Sequence, residues 1–565
     1  MELLLDKEVK TNLNQVWEWR NPLPQGNLLT AVATDNNTLI AVGFLDTILT
    51  TTDMGQTWSK RTSNSYTSFR SIAYGNNTFV AVGEQGAIFI SIDNGATWTQ
   101  KSSGTECRLW GITYGNNKFV AIGEFVILTS NDYGETWNVI ELSYPLYGIS
   151  FGNNTFIAVG QYGGITTSSD GVNWSEACIG IEDSLLGITF GNNIFVATAE
   201  NGTICISKNN GKTWSARRTP FTEDLLGIAY SNNTFMAIGE NDCIITSSDN
   251  GVTWKDVGQT STLNFYGITS SYNTFIVIGD CGVVLLSNDY GESWSVKTSN
   301  IWNRFLGSTL AANNTLIVVG SDGGIFTSTD NGITWIEKIA GVSHTLTSVA
   351  YGNGKLIAVG EPGPILVSNN IGETWTTLSP SNNSFNKICF NGINTFVAIG
   401  DRVIYTSDGT NWTKQTFDIN SSLNGVTYGN NTFVAVGDGG TIVTSQDGTT
   451  WVKRESGTGS IIEDITYGNY IFLAIGNGSD VFTSSDGITW SKRQIEASGY
   501  YNSVFYGGNL FIAVGDDGLI ATSSDGITWE AQISWTYNDL HSIISTNNFA
   551  LATGDCGTII QCQNT

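Results

Sequence analysis

A ten-residue phrase, Y-G-N-N-T-F-V-A-V-G at residues 74–83, recurs along the whole chain of 565 residues. A weaker copy, TDNNTLIAVG, precedes it at 34–43, and twelve more follow, which makes fourteen. The later copies lie at 114–123, 151–160, 190–199, 230–239, 270–279, 311–320, 351–360, 390–400, 428–437, 467–476, 506–515 and 545–554. Self-similarity at a fixed period is typical of repeat architectures, in which each unit buries its faces against its neighbours.

A second phrase, S-x-D-x-G-x-T-W, follows each of the first thirteen copies, and its tryptophans are spaced 37 to 41 residues apart. They are Trp58, Trp98, Trp137, Trp174, Trp214, Trp254, Trp294, Trp335, Trp375, Trp412, Trp451, Trp490 and Trp529. Within the period 71–101, the runs SIAY, TFVAVG and AIFISI predict three strands, and the phrase at 91–98 leads into a fourth. We therefore predict an all-β chain of fourteen four-stranded blades, the arrangement of β-propellers.

The second phrase resembles the Asp-box, or BNR, motif of sialidases, tandem-propeller xyloglucanases and photosystem II assembly factors, and the combined repeat is similar to repeats of bacterial and phage surface proteins. The resemblance covers residues 17–562 and implies propeller blades rather than one function. The box aspartate is expected to accept backbone N–H bonds within its turn, which is a structural role. Two boxes carry Asn209 and Asn370 instead, which turn capping tolerates and acid–base chemistry does not. The box aspartates are Asp53, Asp93, Asp132, Asp170, Asp249, Asp289, Asp330, Asp408, Asp447, Asp486 and Asp525.

The number of blades exceeds the four to eight of a usual ring, so we expect two seven-bladed propellers in tandem, with a single fourteen-bladed ring as the alternative. The last repeat stops after its third strand, GTIIQCQ at 557–563, whereas VWEWR at 16–20 is a lone outer strand. We expect this N-terminal strand to close the fourteenth blade, a crossing that a single ring would not need. Counting blades gives a first propeller at 20–299 and a second at 300–565, completed by strand 14–20.

Charge and composition narrow the range of partners. Acidic residues outnumber basic ones 50 to 25, which gives a net charge of −25 and a pI near 4.3. We therefore expect no binding to nucleic acid, which requires a basic face, and no membrane insertion, because no apolar run could span a bilayer. Eight cysteines without a C-x-x-C pair argue against a zinc site, and we expect no cofactor. The start shows no secretory signal, so we expect a cytoplasmic or virion-associated protein, or one secreted with its signal removed.

Because strands alternate in direction, the B–C turns and D–A loops share one face, and the Asn-Asn turns and boxes share the other. The first face varies from blade to blade, so we expect function there. The residue just before strand A should lie at the mouth of the central channel. In the first seven blades this column is Leu29, Arg70, Trp110, Tyr147, Leu186, Leu226 and Tyr266. In the next seven it is Leu306, Thr347, Asn386, Asn424, Glu463, Asn502 and His541.

One mouth is thus apolar and aromatic, and the other is polar. We predict binding at Arg70, Trp110, Tyr147 and Tyr266 of the first mouth. We also predict binding at Trp302, Trp535 and His541 of the second mouth. The alternative is that these loop aromatics pack on their own blades.

Acidic residues begin the B–C turn in ten of the fourteen blades: Glu84, Glu124, Glu200, Glu240, Asp280, Glu361, Asp401, Asp438, Asp516 and Asp555. Turn chemistry before x-Gly accounts for most of this pattern. The acids also give the variable face a negative field, which favours cationic or neutral partners. Calcium binding at these turns is a further option, although no D-x-D-x-D-G loop is present.

We expect a non-catalytic recognition scaffold that binds a glycan or a protein surface, because aromatic rings among amides and hydroxyls suit sugar C–H faces or an extended peptide. The alternative that the resemblance implies is a xyloglucanase-like glycoside hydrolase acting in a cleft between two propellers. Such chemistry needs two carboxylates about 5–10 Å apart, and Glu463 and Asp464 are the candidates. The chain lacks the F/Y-R-I-P motif of sialidases. A further alternative is an assembly factor that binds a protein partner.

Overall fold

The computed structural model describes residues 17–20, 26–35, 37–258, 263–271, 273–296, 304–363, 365–378, 383–417, 420–495, 499–546 and 548–563. Within them the chain forms fourteen four-stranded antiparallel sheets, which we number as blades 1 to 14 in chain order. The strands of a blade are A to D, and strand A is innermost because it packs against strand A of the neighbouring blades. No helix in these ranges is long and apolar enough to cross a bilayer.

Blades 1 to 7 form the first compact unit, the N-terminal propeller, within residues 23–300. Strand A of blade 1 packs beside strand A of blade 7 and closes the ring. The strands are Leu29–Thr34, Leu39–Gly43, Ile48–Thr51 and Ser59–Arg61 (blade 1); Phe69–Gly75, Thr78–Gly83, Ile88–Ser91 and Thr99–Lys101 (blade 2); Leu109–Gly115, Lys118–Gly123, Val126–Ser130 and Asn138–Glu141 (blade 3); Leu146–Gly152, Thr155–Gly160, Gly164–Ser168 and Ser175–Cys178 (blade 4); Leu185–Gly191, Ile194–Ala199, Thr203–Ser207 and Ser215–Arg218 (blade 5); Leu225–Ser231, Thr234–Gly239, Ile244–Ser247 and Lys255–Asp256 (blade 6); Phe265–Ser271, Thr274–Gly279, Val284–Ser287 and Ser295–Val296 (blade 7).

Blades 8 to 14 form the second unit, the C-terminal propeller, and strand A of blade 8 packs beside strand A of blade 14. The strands are Phe305–Leu310, Leu316–Gly320, Ile325–Ser328 and Ile336–Lys338 (blade 8); Thr345–Gly352, Lys355–Glu361, Ile365–Ser368 and Thr376–Leu378 (blade 9); Phe385–Phe390, Phe396–Gly400, Val403–Ser407 and Trp412–Lys414 (blade 10); Leu423–Gly429, Thr432–Gly437, Thr441–Ser445 and Val452–Arg454 (blade 11); Ile462–Gly468, Ile471–Gly476, Asp480–Ser484 and Ser491–Gln494 (blade 12); Tyr501–Gly507, Leu510–Gly515, Ile520–Ser523 and Glu530–Gln532 (blade 13); Leu540–Ser545, Phe549–Gly554 and Ile559–Gln563 (blade 14).

The fourth strand of blade 14 is Trp17–Trp19, which pairs antiparallel with strand C of that blade, Trp17 opposite Cys562 and Trp19 opposite Ile560. Trp17 is 2% exposed and packs in the core between blades 13 and 14. The predicted fold is confirmed: an all-β chain of two seven-bladed propellers, the last blade of which is closed by the N-terminal strand.

Short 3₁₀ turns complete the secondary structure of the described residues. Seven of them form B–C turns, and the eighth, Ala312–Asn314, forms the A–B turn of blade 8. The B–C turns are Glu84–Gly86, Gln161–Gly163, Glu200–Gly202, Asp280–Gly282, Ser321–Gly323, Asp438–Gly440 and Asp516–Gly518. Many A–B turns place two consecutive asparagines at positive φ, as at Asn76 (47°) and Asn77 (58°). Asparagine tolerates this conformation, and it matches the twist of the two strands that the turn connects.

The Asp-box turn is held by one set of hydrogen bonds that recurs from blade to blade. In blade 2, Asp93 Oδ1 accepts the backbone N–H of Thr97 at 2.9 Å and the Ser91 hydroxyl at 2.8 Å, while Oδ2 accepts the Thr97 hydroxyl at 2.6 Å. In blade 1, hydrogen bonds from the hydroxyl and backbone of Thr57 lower the pKa of Asp53 to about 2. A carboxylate that accepts this many bonds is held in its ionised form and caps the turn.

The asparagine boxes keep the same geometry. Asn209 Oδ1 accepts the Thr213 backbone N–H at 2.9 Å, and its amide nitrogen donates to the Thr213 hydroxyl at 2.8 Å. Asn370 makes the equivalent pair of bonds with Thr374. Because an amide replaces the carboxylate without loss of the turn, this position needs an acceptor and not an acid.

The box tryptophan fills the interface between its own blade and the preceding one. Trp98 packs against a core shared by blades 1 and 2, and its Nε1 donates to the Gly95 carbonyl at 3.2 Å. Gly95 has a φ of +80°, and a Cβ there would lie 2.5 Å from Cδ1 of Ile40 in the preceding blade. Glycine is therefore required both by the backbone conformation and by close packing of the blades.

Candidate functional site

Strand A of every blade carries a β-bulge near its start. In blade 3, Leu109 pairs with Gly123 and Gly111 pairs with Ile122, so Trp110 is the extra residue. The same register shift occurs between strands A and B of all fourteen blades. Bulges change the direction of a side chain, and these direct one residue per blade toward the opening of the central channel.

The predicted mouth column consists of these bulged residues, with one correction. Leu29 does not belong to it, because Leu29 pairs with Gly43 and is completely buried, and the bulged residue of blade 1 is Thr30. The column was one residue out of register there, since a leucine is also the bulged residue of blades 5 and 6 and Leu29 fits the same pattern. In the N-terminal propeller the column lines a cavity of about 220 Å³ at the channel opening, and its members there are Thr30, Arg70, Trp110, Tyr147, Leu226 and Tyr266.

Trp110 lies at the centre of a cation–π stack at this opening. The guanidinium carbons of Arg70 and Arg108 are each 4.9 Å from the centroid of the Trp110 ring, and that of Arg70 is also 4.6 Å from the Phe44 ring. Glu84 bridges the two guanidiniums, with contacts of 2.6 Å to Arg70 and 2.5 Å to Arg108. The stack therefore joins side chains from blades 1, 2 and 3 in a fixed arrangement.

The indole nitrogen of Trp110 is a second feature of the stack. Nε1 is buried, and no hydrogen-bond partner for it is present among the described residues. The ring edge also meets Tyr147 of blade 4 in a T-shaped contact, with centroids 6.1 Å apart. An unpaired buried donor is costly for a fold, but Nε1 of the box tryptophans Trp58, Trp412 and Trp529 is buried and unpaired in the same way, so this feature alone does not mark a ligand contact.

Tyr147 and Tyr266 lie farther around the same opening, and both are half-buried. Burial raises the pKa of each phenol, and nearby acids add to the effect, Glu200 at Tyr147 and Asp280 at Tyr266. The Tyr266 hydroxyl donates to Asp280, whose own pKa is raised by burial. Both phenols remain protonated at neutral pH and can donate hydrogen bonds.

Arg108, Glu84 and Phe44 were not among the predicted site residues. Arg108 lies two residues before Trp110, at the end of a D–A loop, while Glu84 and Phe44 begin the B–C turns of blades 2 and 1. The sequence gives Arg-x-Trp in blade 3 and Arg after Phe69 in blade 2, but which side chains stack depends on how adjacent blades align.

The polar bulged residues of the C-terminal propeller form hydrogen bonds within the fold. The Thr347 hydroxyl donates to the Phe385 carbonyl of the next blade at 2.7 Å, and Thr30 makes the same bond to Phe69 in the other propeller. The Asn502 amide donates to the Leu540 carbonyl at 3.1 Å. Asn386 and Asn424 bond the next blade in the same way. These residues join neighbouring blades, so the polarity of the second mouth has a structural cause.

The predicted binding residues of the second mouth have separate surroundings. His541 Nε2 lies 2.7 Å from Asp555 Oδ1 and 3.0 Å from Arg304 Nε. Burial opposes ionisation of Asp555, but His541 and Arg304 outweigh it and lower the pKa of this carboxyl. Trp535 has a φ of +59°, and its carbonyl accepts a bond from Trp19 Nε1 at 3.3 Å, which ties the closing strand to blade 14's loop. Trp302 lies outside the described residues.

The two candidate catalytic carboxylates lie in strand A of blade 12. Glu463 is the bulged residue, and burial together with Asp438, Asp464 and Asp516 raises its pKa. Asp464 is 3% exposed and forms an ion pair with Lys387, Oδ2 to Nζ, at 3.1 Å. A carboxylate held in this ion pair is not free to act as an acid or a nucleophile on a polysaccharide chain.

Several acids of the B–C turns accept hydrogen bonds from the backbone beside the turn. Glu200 Oε2 accepts the backbone N–H of Ser184 at 2.9 Å, and Asp280 Oδ2 accepts that of Asn264 at 3.0 Å. Each bond fastens a turn to the D–A loop beside it. Glu240 is exposed. In the described part of the chain, no three His, Cys, Asp or Glu side chains come together in a way that could hold a metal ion.

Comparison with known proteins finds a family model and solved structures that resemble this architecture. The model of the family described as photosynthesis system II assembly factor YCF48 matches residues 206–467. No curated protein sequence gives a significant match.

Solved structures match this chain at low identity, some of them over nearly its whole length. An ancestral GH74 enzyme is 13% identical, with 97% of this chain and 99% of that one covered and a TM-score of 0.64. PorZ of Porphyromonas gingivalis, described as a surface component of the type-IX secretion system, is 11% identical, with 97% and 87% covered and a TM-score of 0.65. YCF48 bound to D1 peptide is 22% identical, with 48% and 96% covered and a TM-score of 0.41.

The two full-length matches show the fold alone, since their identities are far below what carries an activity. The repeated boxes, the fourteen blades and the matching family model agree with one another. The chain is a tandem β-propeller of the Asp-box, or BNR, repeat type.

Proposed function

We propose that this protein is a non-catalytic recognition scaffold and that the mouth of the N-terminal propeller binds an extended segment of a protein partner. The observation that carries the proposal is the Arg70–Trp110–Arg108 stack at the rim of an open cavity. Tryptophan, tyrosine and arginine are the residues most enriched at energetically important positions of protein interfaces. Here they occur together on a face that otherwise consists of turns.

A protein partner suits the stack better than a glycan does. Sugars bind tryptophan by placing C–H groups on the ring face, and the two guanidiniums already lie over the face of Trp110. What the stack still offers is guanidinium N–H groups, since the Arg70 and Arg108 side chains are 22% and 34% exposed and a peptide carbonyl is a suitable acceptor. Leu226, Tyr147 and Tyr266 line the same opening and supply apolar contact area.

Charge favours a segment that carries basic side chains. The first residues of the B–C turns contribute five acids to this propeller, against the two arginines of the stack: Glu84, Glu124, Glu200, Glu240 and Asp280. Glu84 neutralises the arginines in part, so the remaining acids give the rim a negative field. Complementary charge of this kind speeds association and selects partners.

The matching family model supports a protein partner, because its description is that of an assembly factor. Its match begins at residue 206, so it covers Leu226 and Tyr266 of this mouth but not the stack around Trp110. A glycoside hydrolase receives less support. Of its two candidate carboxylates, Asp464 is buried in an ion pair, so Glu463 and Asp464 do not form a free pair of acids.

The experiment is a selection of displayed random peptides on the full chain, in parallel with a glycan array. We expect apolar peptides with at least one Lys or Arg, and binding that weakens as salt rises from about 50 to 500 mM. Selected peptides that bind a Trp110→Ala variant as well as wild type would contradict this site. Specific glycan binding that Trp110→Ala abolishes would replace the protein partner with a glycan.

A further inference from the structure

One residue in each blade faces the central channel immediately after the bulge of strand A. At this position twelve of the fourteen blades have Gly, Ser or Ala, as the close approach of neighbouring strands requires. A Cβ at Gly425, for example, would lie 2.7 Å from Cα of Asp464 in the next blade. The two exceptions are Lys387 and Asp464, both in the C-terminal propeller.

These two residues meet across the channel wall. Lys387 of blade 10 reaches past Gly425 of blade 11, and its Nζ lies 3.1 Å from Oδ2 of Asp464 in blade 12. The same Oδ2 accepts the Ser503 hydroxyl at 2.8 Å and the Val504 backbone N–H at 3.2 Å. The pair therefore interrupts a layer that the repeat otherwise keeps small and uncharged.

Both charged groups keep capacity for a further partner. Asp464 is 3% exposed, and its Oδ1 is buried with no hydrogen-bond partner among the residues that the structure describes. An ammonium has three donors, and the described bonds of Lys387 use one of them. The Lys387 side chain is 26% exposed, so it remains open to the channel. Because a buried ion pair gains little over an apolar filling, stability does not account for this one.

The pair lines a cavity of about 510 Å³ in the channel of the C-terminal propeller. Two residues farther along the strands, the wall becomes more apolar, with Cys389, Phe505 and Ile544 facing the cavity. The corresponding positions in the N-terminal propeller hold only Ala, Thr or Ser. One end of the cavity is thus charged with both signs, and the wall beyond it carries apolar side chains.

We infer that this cavity is a binding site for a small zwitterion, an α-amino acid with an apolar side chain. The carboxylate of the ligand bonds the Lys387 ammonium, its ammonium group bonds Asp464 Oδ1, and its side chain lies against Phe505 and Ile544. A simple anion would face the Asp464 carboxylate, and a simple cation would face Lys387. Only a ligand with both charges pairs with both groups.

The test is isothermal titration of the full chain with L-leucine, 4-methylpentanoate and isoamylamine, three probes with the same branched side chain and different charges. We expect L-leucine to bind with a Kd of about 1 mM or tighter, and each single-charge analogue to bind at least tenfold more weakly. No binding of L-leucine at about 10 mM, or equal binding of either analogue, overturns the inference. This comparison uses wild-type protein only and decides the question without a variant.

A double variant locates the site. Lys387→Ser with Asp464→Ser removes both charges together and restores the residue type found at Ser503 and Ser542, so no unpaired charge remains. We expect at least tenfold weaker L-leucine binding in this variant, and unchanged binding in a Ser71→Ala control, which alters the same layer of the other propeller. Unchanged L-leucine binding in the folded double variant overturns the assignment to this cavity.

Discussion

The guanidinium of Arg70 lies 4.9 Å from the ring centroid of Trp110, although the two residues belong to different blades and are each the bulged residue of their own strand A. The bulge thus brings side chains that are forty residues apart into contact at the channel opening. A fold built from nearly identical blades acquires a specific site in this way, because one variable residue per blade is directed to one place.

The closing strand is predicted to stabilise one propeller. Trp17→Ala removes a side chain that is 2% exposed from the core between blades 13 and 14, which costs about 3–5 kcal/mol. We expect calorimetry to show a lower unfolding temperature for the propeller of blades 8 to 14 and no change for blades 1 to 7. Trp98→Ala, in the N-terminal propeller, is the matched control and should shift the other transition. A Trp17→Ala variant that melts like wild type would contradict closure by this strand.

The Asp-box carboxylates are predicted to make stability depend on pH in the acid range. The folded pKa of Asp53 is about 2, below the value near 4 of an unfolded chain. A lowered pKa gives stability that is present above about pH 4 and is lost as the pH falls toward 2. Asp53→Asn keeps the turn, as Asn209 does, and removes this titration. Its melting temperature should therefore fall less than that of wild type between pH 5 and pH 2, as measured by thermal unfolding.

The polar bulge residues of the C-terminal propeller are predicted to be structural. Asn502→Leu removes the bonds to the Leu540 carbonyl and to Asp516, and leaves two acceptors without this donor. A loss of about 1–3 kcal/mol is expected, which corresponds to a melting temperature several degrees lower. Leu306→Ala, at the bulge of blade 8, is the control without such bonds. Equal melting temperatures for Asn502→Leu and wild type would show that the bonds between blades add nothing.

Glu463 is predicted to cost stability at neutral pH. Burial and three neighbouring carboxylates raise its folded pKa, so the protonated form is favoured in the fold. Stability from this group is present below the unfolded pKa of glutamate and is lost as the pH rises through the folded pKa. Glu463→Gln should therefore raise the melting temperature at pH 7 and leave it nearly unchanged at pH 4. Loss of a glycan-hydrolysing activity in this variant would instead favour the hydrolase.

The repeat allowed the blades, the ring of seven and the closing strand to be predicted, because each follows from patterns within one copy or at its ends. The register of strand A at Leu29 was wrong, since the bulged residues of other blades, such as Leu186 and Leu226, are leucines and residue type alone does not mark the bulge. The partners of Trp110 were not predictable either. Arg108 and Glu84 reach it from another turn and loop, and their contacts exist only once neighbouring blades are aligned.

The pair of Lys387 and Asp464 is visible in the sequence only once the fourteen A strands are aligned by their bulges. Alignment of the fourteen strands by their bulges would have exposed two charges in a column of small residues. The predicted mouth column held Glu463, the residue before Asp464, and Asp464 was predicted only as a candidate catalytic acid. Its burial depends on the curvature of the ring, which no single repeat contains.

Binding of a partner at the N-terminal mouth is tested most directly by the affinity of a selected peptide for Trp110→Ala, with the Leu306→Ala variant as the matched control from the other mouth. We expect at least tenfold weaker binding, about 1.4 kcal/mol or more, in Trp110→Ala and wild-type binding in Leu306→Ala. Because Trp110 is only half-buried, both variants should melt within a few degrees of wild type. Unchanged affinity combined with a large thermal loss in Trp110→Ala would show that the stack is packing and that the N-terminal mouth binds no partner.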